Sequence, residues 1–129
     1  MAIPMKHRTI EAAAALRVAP AEPVLKTYFH TFKTGQGGVI DLTGILDVRH
    51  FNKVSVEIIQ GPHSTVPMNV VCCMGKISGS TLGQVLAQFP LATTAQIHAF
   101  DVIGPDFNVS LTGGPPNTDV PIEAWVFLH

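Results

Sequence analysis

The chain has 129 residues, of which 47% are apolar and only 13% charged, with a formal net charge of −1. An average domain carries roughly a quarter charged residues, so this one holds about half the usual supply. The length fits one domain, the shortage of charge excludes disorder, and the near-neutral balance disfavours nucleic acid as a partner.

Residues 1–23 differ in composition from the rest of the chain and form an expected N-terminal arm. "RTIEAAAALRV" is the one stretch with helix propensity, with Thr9 as N-cap and Glu11 in the first turn. Pro20 and Pro23 stop it. It is too short to persist in water without something to pack against. Glu11 and Arg17 interrupt the apolar run that a secretory signal needs. Without a signal, the cytoplasm is the expected location.

From Val24 the hydrophobic period changes to two, and residues 24–129 are expected to form a β-sandwich domain. "VLKTYFHTF" puts Leu25, Thr27, Phe29 and Thr31 on one side and Tyr28, His30 and Phe32 on the other. "GGVIDLTG" reads as a short strand after a glycine-rich turn, and "NKVSVEIIQG" alternates through Val54, Val56 and Ile58. "PMNVVCCMGKI" reads as a strand with both faces covered, one by the core and one by a second layer. Its adjacent Cys72 and Cys73 point to opposite faces and act as small buried hydrophobes.

"GQVLAQFPL" fits helical spacing at Leu82, Val85, Leu86 and Phe89, but Gly83 and the short length favour a strand. Ile77 to Phe100 lacks Asp, Glu, Lys and Arg, yet its serines, glutamines and Pro90 break any membrane span. "QIHAFDVIG", "FNVSLTGG" and "VPIEAWVFLH" complete a set of about eight short strands. Turns such as "QGPH", "IGPD" and "TGGPPNTD" separate them. Strong helices do not alternate with the strands, which leaves an all-β, antiparallel, jelly-roll-like sandwich.

Chemistry is mostly missing from this pattern. The six histidines show no HxH, HxxxH or HExxH spacing, so neither metal nor cofactor is expected. There is no GxSxG elbow, phosphate loop or dinucleotide fingerprint. His63 and Ser64 are merely adjacent. Asn108-Val109-Ser110 matches a glycosylation pattern but falls in a predicted strand. No catalytic residue is expected.

Two features point to binding instead. Residues 1–36 carry net +3 and residues 37–129 net −4, so Lys6, Arg8 and Arg17 are candidate arm contacts to a neighbouring copy or another acidic surface. Trp125, the only tryptophan, shares an outward side with Glu123 and Phe127, opposite Ile122, Ala124 and Val126. Trp125 and Phe127, with Asn117 and Asp119 of the "TGGPPNTD" turn, are the candidate partner or glycan contacts.

The strand rhythm and the aromatic last strand "IEAWVFLH" resemble small jelly-roll decoration, cement or fibre-associated proteins of bacterial viruses. Related sandwiches occur as carbohydrate-binding modules. The resemblance implies a non-enzymatic assembly protein and carries no site residue with it. The expected partners are sister copies, in a larger assembly such as a capsid, with a glycan as the alternative. The scarcity of charge predicts interfaces that bury on the order of 2,000 Å² or more.

Overall fold

The computed structural model describes residues 22–61, 65–78 and 81–129. The helix expected within residues 8–18, the arm contacts Lys6, Arg8 and Arg17, and the His63 turn lie outside those residues. Among the described residues nine strands follow one another: β1 (Val24–Lys33), β2 (Ile40–Asp41), β3 (Leu46–Asp47), β4 (Lys53–Gln60), β5 (Asn69–Ser78), β6 (Thr81–Pro90), β7 (Ile97–Asp101), β8 (Asp106–Thr112) and β9 (Asp119–Leu128). Every pairing is antiparallel.

One sheet has the order β1-β9-β4-β7. The other has the order β2-β8-β5-β6, with β3 also on β8. The all-β sandwich read from the sequence is the fold. The strand number is nine, against about eight expected, because one strand is broken. Asp41 pairs with Ser110 and Leu46 with Phe107, so four residues of one strand face two of the other. Thr43 and Gly44 make the break, and Gly44 has φ +64°. The Asn108 amide holds it, donating to Asp41 Oδ1 at 2.8 Å and to the Gly44 carbonyl at 2.9 Å. With β2 and β3 counted as one interrupted strand, the order is that of an eight-stranded jelly roll.

The core lies between the sheets and follows from alternation. Val54, Val56 and Ile58 of β4 face Phe107, Val109 and Leu111 of β8, with Ile122, Ala124, Val126 and Leu128 of β9 beside them. On β5, Val70, Cys72 and Met74 point inward. β6 is a strand, and the apparent helical spacing has a local cause. A register shift opposite Cys72/Cys73 makes Leu86 an extra residue between Ala87 and Val85. Leu86 therefore packs toward the core out of the period-two order.

One buried polar side chain extends the ladder. Gln60 donates from Nε2 to the Val66 carbonyl at 3.0 Å and accepts from the Val66 N–H at 2.7 Å, acting as a strand neighbour for a loop that has none. At the end of β3, both Asp47 oxygens take hydrogen bonds from the Arg49 guanidinium. They hold the carboxyl down to about 2.

Candidate functional site

The outward face of the β1-β9-β4-β7 sheet carries a cluster of exposed apolar side chains among polar ones. Register places Leu25 beside Phe127, Thr27 beside Trp125 and Phe29 beside Glu123. Across the other ladder, Ser55, Glu57 and Ile59 stand beside Phe127, Trp125 and Glu123, and Ile97 stands beside Glu57. Leu25 is 57%, Phe29 56%, Ile97 70% and Phe127 38% exposed. Trp125 is half-buried beneath Phe29, whose ring meets it edge-on at 5.0 Å. Phe127 stacks on His129 at 4.6 Å, and the His129 Nε2 lies 3.1 Å from Ser55 Oγ. Two hollows flank the Phe29–Trp125 ridge. One, about 240 Å³, is lined by Leu25, Ser55, Glu57, Ile97, Trp125 and Phe127. The other, about 540 Å³, is lined by Phe29, His30, Thr31, Gly61, Pro121 and Glu123.

The outward placement of Trp125 and Phe127 agrees with the alternation of the last strand. Asn117 and Asp119 do not join them. Asp119 is six residues from Trp125 along β9, roughly 20 Å at a strand's rise. Asn117 sits in the left-handed region at φ +52° and serves the turn. That turn satisfies itself. Thr34 Oγ1 donates to the Pro115 carbonyl at 2.6 Å and accepts from the Thr118 N–H at 2.8 Å. A glycan site joining the tryptophan to this loop is therefore not assembled in one protomer.

The other sheet also has an apolar outward face. Ile45, Val71, Cys73, Ile77 and Val85 line a cleft of about 540 Å³, together with Asp41, Asn108 and Ser110. Cys72 is in the core, and Cys73 on the outward side is only 9% exposed, so both are buried as the sequence predicts. Burial pushes the Cys72 thiol up to about 12, helped by the nearby Cys73, and burial also raises Cys73.

These environments set an expected order of reactivity. At pH 8 an alkylating reagent should modify the denatured protein fully while leaving native Cys72 untouched, with Cys73 reacting slowly and first. Thiolate is the reacting species, and an ordinary thiol titrates near pH 8.5. Mass spectrometry of partly labelled protein checks this, and early label on Cys72 would contradict the burial described.

The described histidines do not converge. His30 meets Phe32 edge-on, and His98 stacks on Phe89 at 3.8 Å. Among the described residues there is no group of three or more metal-ligating side chains. No helix of the described residues is long and apolar enough to cross a membrane.

Sequence reading missed Leu25, Phe29, Glu57 and Ile97 as members of the Trp125 face. Their alternation was visible. Which side looked outward, and which strands lay beside β9, depended on a sheet order that joins β9 to both β1 and β4.

No family model and no curated protein matches the chain. Among solved structures it is similar to a chain from Bacillus endospore appendages, described as forming "a novel family of disulfide-linked pili". The TM-score is 0.53 at 12% identity, covering 83% of this chain and 87% of that one. At that identity the likeness is one of fold.

Proposed function

We propose that the protein is a non-catalytic structural subunit that works by binding copies of itself through its outward apolar sheet faces. The observation that carries this is the Leu25–Phe29–Ile97–Phe127 face, an exposed apolar surface that spans four strands with Trp125 at its centre. Contiguous patches of this kind mark interaction surfaces, and aromatic anchors dominate their energetics. A role in decorating or stabilising a shell fits the jelly-roll rhythm of the strands. The fold likeness to a pilus-forming protein supports a building-block role more generally.

Size-exclusion chromatography with light scattering tests the reading. The full chain is expected to be multimeric at micromolar concentration. The double variant Phe29→Asp/Ile97→Asp should be monomeric with an unchanged circular dichroism spectrum, since both side chains are already solvent-facing. A wild-type monomer would overturn the proposal.

Carbohydrate binding is a second reading, favoured by one arrangement. Trp125 lies opposite Glu57 and near Ser55, an aromatic platform with polar neighbours. A glycan array with Trp125→Ala as control separates the two. Wild-type binding that this variant loses, in a chain that stays monomeric, would favour the sugar.

A further inference from the structure

We propose that the outward face of the β1-β9-β4-β7 sheet is the docking site for residues 1–21 of a second copy of this chain. This rests on the self-association proposed above and names the segment that covers the face.

The first argument is charge. The outward lysines of these four strands are Lys33 and Lys53, and each stands opposite an aspartate: Lys33 across from Asp119, Lys53 across from Asp101 with Nζ 3.5 Å from Oδ1. Glu57 and Glu123 are left over. Neither forms an ion pair among the described residues. Glu57 is opposite Trp125, and Glu123 is two residues further along β9, so the two residues are diagonal neighbours with backbone positions roughly 7–8 Å apart. Both add negative charge to one part of the face.

The second argument is the match in chemistry. Residues 1–21 contain Lys6, Arg8 and Arg17 against Glu11, a net +2 that complements the two carboxylates. Lys6 and Arg8 are two residues apart, which in an extended chain separates same-side groups by roughly 7 Å. That is about the glutamate spacing. Ile10, on the same side of an extended chain as Lys6 and Arg8, supplies an apolar side chain for the hollows beside Trp125.

The third argument concerns which copy provides the segment. Pro23 fixes its own φ and biases Glu22 to an extended conformation. Val24, the next residue, is already paired with Leu128. Residues 22–24 thus enter β1 in an extended conformation, and delivery of the preceding segment to a second copy needs no reversal there.

Charge reversal on full-length chains tests this. The face variant is Glu57→Lys/Glu123→Lys, and the arm variant is Lys6→Glu/Arg8→Glu/Arg17→Glu. Each alone should associate at least roughly tenfold more weakly than wild type. An equimolar mixture should recover assembly, because each arm then meets a face of opposite sign. Glu57 is half-buried, so Glu57→Gln/Glu123→Gln, which adds no bulk, serves as a second face variant and should also weaken association. If wild type assembles and the variants assemble equally well, docking of this segment is refuted while self-association stands. If both variants are impaired and mixing restores nothing, docking in trans is refuted. If wild type is monomeric, both proposals fall.

Discussion

Replacing Phe107 with alanine is expected to destabilise the protein by about 3–5 kcal/mol, the range seen when a buried aromatic is truncated. Phe107 is fully buried on β8, between the two sheets. In its own sheet it lies between Met74 of β5 and Leu46 of β3. From the opposite sheet, the Phe100 ring approaches to 6.0 Å at a 42° tilt. The rigid ladders on both sides give the void little room to collapse. A domain of this size is stable by roughly 5–15 kcal/mol, so much of that margin would go. Urea unfolding should show a lower midpoint with an unchanged slope. Phe127→Ala, at a partly exposed position, is the control and should cost far less. If Phe107→Ala lost less than about 1 kcal/mol, the core would not be packed as described.

Gly38→Ala is expected to be nearly as damaging, by about 3 kcal/mol, for a different reason. Gly38 has φ +71°, and a Cβ there would lie 2.0 Å from the Gly114 carbonyl oxygen. That oxygen is backbone and cannot swing aside. Relief would require the 34–39 and 113–118 loops to part. Parting would cost the bond from the Gly114 N–H to the Gly38 carbonyl at 3.2 Å and the paired hydrogen bonds of Thr34 and Thr118. Gly37→Ala is the matched control: a Cβ there meets nothing within 4 Å. Thermal melts of the two variants should differ by many degrees. Equal melting temperatures would mean that the loops are not in contact.

Much of the fold was legible because the strands alternate cleanly. Val54, Val56 and Ile58 point inward as their period required, and so do Ile122, Ala124, Val126 and Leu128. What pattern could not supply was anything set by partners distant in sequence. Leu46–Asp47 is a strand only because β8 reaches it, and two residues carry no period.

The candidate surface was half visible. Trp125 and Phe127 declared their side through alternation. Joining them to Asn117 and Asp119 failed because closeness in sequence is a poor guide along a strand, where six residues span roughly 20 Å. Leu25, just over a hundred positions away, is a true neighbour of Phe127.

Val24 and Leu128 are partners on adjacent strands, so the domain's way in and way out share one corner. A short bridge could close the chain into a ring there. New ends could then be opened at the exposed Asn117 turn without severing a single ladder. By the same token, cargo fused after His129 would emerge at the corner where β1 begins, whereas the Asn117 end of the sandwich would leave that corner free.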